Sequence, residues 1–580
     1  MKKKSWMMLL TLILVIGTVL AGCGSAKETT TDTGSKTEEG TTGTDKGTTT
    51  EPAGDATDAN LAADQTLHLN LSAEPPTLDP AQAQDSQSNT ALRFMYEGLA
   101  KIDADGNPEG GAAENWDISE DGLTYTFHMR QGAKWSNGDP VTANDFVYAW
   151  QRVLSPETTP APVYAYQLYY IKGAEDFNTG KTSDFSTVGV KAVDENTLEV
   201  TLVNPTPYFL GLTSFYTYYP VHQASVEADE AWATDASKMV TNGPFTLTTW
   251  TTGSEMGWTK NEQYWDAASI KLTNVTASIV NSGATETASY QSGEIDYAGA
   301  PTGEIPTDQI QPLSDQLKDE FKLSDIASTY YYEFNNKEKP FDNAKIRKAF
   351  AMSIDRQSLI DNVTKAGQTP AYGFVPTAIA GLDNKSFREM YPDSGYLTED
   401  VEQAKTLLAE GMKEEGLTKL PPITLLYNTS ENHQKLALAV ADMWEKNLGV
   451  TIETKNEEWS VFLETRKTGN YQIARAGWSA DYDDPMTYLD MYVTDGGNNT
   501  AFYSNENYDK LIAEAYKGGN DPAKRMQELA DAEKQLIGED TAIIPVYYYT
   551  QASLTKPYLK GVTTDFSGAI NFTRAYLEEH

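Results

Sequence analysis

The chain has 580 residues, 45 basic against 83 acidic side chains, a formal charge of −38 and one cysteine. A surface of that sign repels nucleic acid and anionic lipid beyond short range, so neither is a partner that charge would recruit. A single cysteine excludes an intrachain disulfide, and in an oxidising compartment stability must then come from packing.

Lys2, Lys3 and Lys4 precede an apolar run from Trp6 that closes on Leu20-Ala21-Gly22-Cys23. A basic start, a short apolar stretch and small residues before a cut describe a secretory signal peptide over 1–22, too short and too early to serve as a membrane span. The closing four residues are similar to the bacterial lipobox. That resemblance implies that Cys23 becomes the first mature residue and carries acyl groups such as palmitate. Two or three chains, at ~0.8 kcal/mol per buried methylene, hold a soluble body stably where one does not. Residues 23–60 are built largely from Thr, Gly, Glu, Asp, Lys and Ser and read as a disordered tether. The expected location is therefore the extracytoplasmic face of a cell membrane, and the long tether points to a Gram-positive surface.

About 520 residues follow, enough for two or three lobes. Leu67, Leu69 and Leu71 alternate as in a half-buried strand, as do Tyr125, Phe127 and Met129, and Val200 with Leu202. Thr142 and Asp145 form a capping box ahead of Phe146, Ala149, Trp150 and Val153. A helix starting near Ser430 turns Leu436, Val440, Met443 and Trp444 inward, and another runs through Ile346, Ala349 and Phe350. The fold class is mixed α/β.

Enzymatic constellations fail on spacing. The five histidines are scattered, and no His-Glu-x-x-His, Cys-x-x-Cys or Gly-x-Ser-x-Gly occurs. Gly173 to Lys181-Thr182 mimics a phosphate loop, but six residues separate Gly173 from Gly180 where four are needed, and it reads as a helix-ending loop. Asp103, Asp105, Asn107 and Glu114 imitate a calcium loop, but Pro108 stands where a flexible glycine is required, so a strand-joining turn is expected. The run Asp481, Asp483, Asp484 also lacks that glycine. No metal and no cofactor is expected. The 33 tyrosines and 11 tryptophans suit a cleft that grips many ligands, although composition does not separate such a cleft from core and sheet.

The block from Arg475 to Pro485, Arg-Ala-Gly-Trp-Ser-Ala-Asp-Tyr-Asp-Asp-Pro, followed by Asn498-Asn499-Thr500-Ala501-Phe502-Tyr503, closely resembles the oligopeptide-binding receptors of ABC importers. Glu114-Asn115-Trp116, Gly122 to Phe127 and Trp135 to Phe146 are similar to the signature of the wider peptide and nickel receptor family. The likeness spans about Leu67 to the C-terminus. It implies a clamshell of the periplasmic-binding-protein type with three lobes: lobe I over 61–86, 227–327 and 549–580, lobe II over 87–226, and lobe III over 328–548. Lobes I and III would close about two crossings near Ser328 and Tyr548.

Carried over residue by residue, the resemblance makes Asp481 the partner of the peptide α-ammonium and sets Arg475 and Gly477 beside the ligand backbone. It has Trp459 and Trp478 line side-chain pockets, Asn498 bind ligand backbone, and Glu74 approach from the other face beside Pro75 and Pro76, which lack N–H donors. His433, Arg466 and Arg475 resemble groups that meet the peptide carboxylate at different ligand lengths. Many Gram-negative relatives hold a disulfide where this chain has Ser328 and Ser479. The expected protein is a monomeric, lipid-anchored receptor, not an enzyme, that hands oligopeptides to a membrane permease. A dedicated receptor for a signalling or cell-wall peptide or a metal chelate is the alternative, and an extracellular peptidase is the alternative from another class.

Overall fold

The computed structural model describes residues 60–103 and 106–580. The predicted signal peptide, Cys23, the tether before residue 60 and Asp105 lie outside the described residues. Three sheets of four or more strands carry the fold. In the first, Thr66–Leu71 lies parallel to Asn274–Ile279, which continues antiparallel into Glu255–Lys260 and Phe245–Thr251. Leu67, Leu69 and Leu71 are buried as their alternation requires, but Asn70 between them is only 1% exposed. Its amide exchanges two 3.0 Å hydrogen bonds with the backbone of Val280, which satisfies a polar group at a buried position.

The second sheet is antiparallel and runs Ala113–Ile118, Thr124–Met129, Thr197–Thr201, Val190–Asp194. Tyr125, Phe127, Met129 and Val200 point inward, and Leu202 is buried one residue past its strand. The helix Ala143–Leu154 begins at the predicted capping box, with both reciprocal bonds between Thr142 and Asp145 present, and buries Phe146, Ala149, Trp150 and Val153. Between the paired strands Ala100–Ile102 and Pro108–Gly110, Asn107 N–H donates to Asp103 Oδ1 at 2.8 Å. Among the described residues no group of three or more His, Cys, Asp or Glu is placed to hold a metal. The segment after Gly173 corrects the expectation of a helix-ending loop. Gly173, at φ +74°, leads into the short helix Ala174–Asn178, whose first turn holds Glu175 and Asp176. Acids there favour a helix start, so the glycine opens the element instead of closing it.

The third sheet has the order Tyr297–Gly299, Ile543–Thr555, Phe321–Phe334, Ile473–Ser479, Ile423–Asn428, Ile452–Glu457, with Thr369–Pro370 also pairing with Ile543–Thr555. The two longest strands run antiparallel, and their register slips between Asp325 and Thr329. On one side of the slip lies Tyr297–Gly299; on the other lies Ile473–Ser479. The helices Ala344–Met352 and Glu431–Leu448 cover this sheet with Ile346, Ala349, Phe350, Leu436, Val440 and Trp444, while Met443 is half-buried. Each of the buried Ile, Leu, Val and Phe side chains contributes ~1.5–3 kcal/mol by leaving water. Among the described residues no helix is long and apolar enough to cross a membrane.

Candidate functional site

A cavity of about 800 Å³ opens beside the strand Ile473–Ser479. Along one edge that strand is paired throughout, from Phe334 opposite Ile473 to Ser328 opposite Ser479. Along the other edge only Ile473 and Ala474 pair, with Leu425 and Leu426. Beyond residue 474 the neighbouring strand is joined by side chains, with Arg475 Nη1 donating to Asn428 Oδ1 at 3.3 Å. Residues 475–479 therefore present a strand edge that no described strand occupies. A bare edge inside a cavity leaves backbone donors and acceptors that require a partner.

Two charged groups flank that edge. Arg475 donates from Nη2 to the Tyr549 hydroxyl at 2.6 Å and lies over the Tyr330 ring at 5.0 Å, and among the described residues no carboxylate pairs with it. Gly477, two residues on and hence on the same face, makes room for it: a Cβ there would stand 3.0 Å from Arg475 Nη2 and 3.3 Å from Tyr549 Oη. Asp481 begins the loop after the strand. Its Oδ2 accepts from Gln167 Nε2 at 2.7 Å, and no cation of the described residues bonds to it. Burial, and next the Asp490 carboxylate, push Asp481 well above the usual carboxylate range.

Aromatic rings fill out the wall. Trp478 lies 6.1 Å from Tyr164, and its buried Nε1 has no partner. Trp459 opens the helix Trp459–Lys467, stacks on Phe462 and donates to Asp85 Oδ1 at 3.2 Å. Asn498 donates to the Tyr166 hydroxyl at 3.2 Å. Arg466 also lines the cavity, but it is already occupied. Its Nε and Nη2 meet Glu333 at 2.7 and 3.0 Å, and Glu333 is 0% exposed. Its charge is therefore balanced within the protein.

Glu74 and His433 do not line the cavity. Glu74 accepts from Trp250 Nε1 at 2.6 Å and Gly253 N–H at 2.9 Å, which ties it to the neighbouring hairpin. His433 sits in the first turn of its helix against Tyr330, with a buried, unpartnered Nδ1. Burial, then the charge of Arg475, hold its ring well below the ordinary imidazole range. Ser479 donates to Ser328 Oγ at 3.0 Å, so the two serines are directly opposed on adjacent strands.

The residues that sequence reasoning did not single out are those that balance or position the ones it did, Gln167, Glu333, Tyr549 and Asp85, together with Asp490, which adds a like charge near Asp481. Gln167 and Asp481 stand 314 residues apart and Asp85 and Trp459 374 apart, and no local pattern signals such a pairing.

Residues 107–500 match the family described as bacterial extracellular solute-binding proteins, family 5. The chain is similar to the oligopeptide-binding protein OppA of Bacillus subtilis, at 41% identity over 99% of this chain and 100% of that one. Among solved structures it resembles Haemophilus influenzae OppA in complex with the peptide RPPGFSPFR, with a TM-score of 0.84 at 35% identity over 90% of this chain and 100% of that one. Against the unliganded open form of the murein tripeptide-binding protein MppA, at 35% identity over 90% of this chain and 99% of that one, the TM-score is 0.60. The arrangement of this chain is thus nearer to that peptide complex than to that open form.

Proposed function

This chain belongs to the bacterial extracellular solute-binding proteins of family 5, and on that premise we propose that it is an oligopeptide receptor, lipid-anchored through Cys23, that delivers its ligands to the permease of an ABC importer. Proteins of this family bind and do not catalyse. The observation that carries the reading is the bare edge at 475–479, flanked by a guanidinium with no carboxylate and a carboxylate with no cation among the described residues. An extended peptide added there as a strand would satisfy the backbone without its sequence being read. Its ammonium would meet Asp481, and its carboxylate would meet Arg475 when ligand length allows. Trp459, Trp478 and Asn498 would contact the ligand, whereas Glu74 and His433 would act from behind the wall. We assign lobe closure to the two strands that cross between the lobes, at the register slip beside Ser328 and Tyr548, with the lobe boundaries proposed above.

The test is native mass spectrometry of protein purified without refolding, followed by calorimetry with peptides of two to six residues. Bound peptides of mixed mass and saturable binding are expected. An empty cleft that takes up no peptide would overturn the reading.

A further inference from the structure

Asp490 stands behind the wall that holds Asp481. It is 3% exposed and follows the short helix Met486–Leu489. Its Oδ2 accepts from the Tyr516 hydroxyl at 3.0 Å and the Tyr482 hydroxyl at 3.3 Å, and its Oδ1 has no partner. Both tyrosines line the cavity while Asp490 does not. Asp490 is thus a buried acid one side chain away from the ligand space.

Its surroundings supply little compensation. From its own segment it faces Asp481, Tyr482 and Asp484, and from the helix Glu506–Lys517 it faces Tyr508 and Tyr516. Tyr164, Tyr166 and Tyr170 approach from the helical turn Ala165–Tyr170 and the residue before it, and Tyr208 from the start of the helix Phe209–Leu212. Arg525, on the helix Pro522–Glu533, is the cation facing it, and that guanidinium gives both terminal nitrogens to Asp484 at 2.8 Å. Asp481 for its part faces Gln167, Tyr164, Tyr166, Tyr216 and Tyr488. The two side chains that hydrogen-bond to Asp490 are Tyr482 and Tyr516.

Two neighbouring carboxylates with no cation of the described residues bonded to either cannot both stay ionised cheaply in a desolvated site. We propose that the unliganded protein holds one proton on the Asp481–Asp490 pair and that an arriving α-ammonium displaces it, so that peptide binding releases a proton to bulk water. This deepens the peptide-binding reading and rests on it. Burial pushes Asp490 up to about 7, which puts the exchange in the neutral range. Below that range protons compete with the ammonium, and affinity falls with falling pH.

The test is titration calorimetry of trialanine into the whole mature protein at pH 6.0, in buffers of different ionisation enthalpy. At that pH the peptide amine, with its ordinary value of ~7.7–8.0, is already protonated and contributes no uptake. A release of about 0.5–1 proton per peptide is expected, and affinity should drop by up to ~tenfold per pH unit between 7 and 5. In Asp490→Asn, binding should persist while the release at pH 6.0 shrinks, because Asp481 loses the like charge beside it and is left raised by burial alone. Tyr516→Phe removes a donor from the Asp490 anion, so the release window should move to higher pH, which keeps the idea testable if Asp490→Asn folds poorly. Binding by the wild type without buffer-dependent heat, or a release unchanged in Asp490→Asn, overturns the proposal. Failure of any peptide to bind overturns the functional reading as well.

Discussion

Substituting Asp481 by Asn probes the charge on which the proposed ligand register depends. The carbonyl of the introduced amide can still accept from Gln167, which donates to Asp481 at 2.7 Å, so the loop should survive the change. What is lost is the partner of the peptide ammonium. Breaking one side of a buried, hydrogen-bonded ion pair costs ~3–5 kcal/mol, because the surviving charge stays unpaired. Asp481 is half-buried before a ligand covers it, which places the loss in the lower half of that range. The expectation is about two to three decades in Kd. N-acetylation of the peptide should weaken binding to the wild type by a similar factor. The two losses should not add, since either change alone breaks the pair. Calorimetry at pH 7 with trialanine and its N-acetyl form, on wild type and Asp481→Asn, completes the cycle. Full affinity for the acetylated peptide, or additive losses, would make Asp481 a turn residue and place the ammonium elsewhere.

Other consequences separate the cations of the cleft and the ends of the chain. Arg466→Met strands the fully buried Glu333 and should cost ~3–5 kcal/mol of stability, seen as a lower denaturation midpoint, with Glu333→Gln added to it recovering part of the loss. Arg475→Met should instead weaken one peptide length most; an equal loss at every length from two to six residues would show only a general electrostatic role. Because His433 is held below its ordinary value, the unfolded chain binds more protons there, and that contribution to stability should be lost as pH falls below about 6.5. His433→Gln should shrink the drop in denaturation midpoint between pH 7 and pH 5, and an unchanged pH slope would rule the ring out as its source. Cys23→Ala should be shed from cells or remain unprocessed, and mass spectrometry that finds an unmodified Cys23 in mature wild-type protein would refute the anchor.

Much of the fold was legible from the residues. Alternation at Leu67, Leu69 and Leu71 and the capping box at Thr142 and Asp145 mark a strand and a helix where the structure has them, because hydrophobic period and helix capping are local properties. Family membership was legible too, since the block around Trp478 and Asp481 is continuous in the chain. The condition of each charge was not. Arg466 and Arg475 look alike in sequence, nine positions apart, yet Glu333 neutralises the first and, among the described residues, nothing acidic meets the second. Glu74 reads as a ligand contact until Trp250 and Gly253 are seen to hold it. The same holds for the bare edge at 475–479, which exists because Ile423–Asn428 pairs with only two of its residues. Local structure follows from neighbours in the chain, but the free energy of a charge or a backbone edge depends on what packs against it, and tertiary folding brought those partners in from as far as 374 residues away.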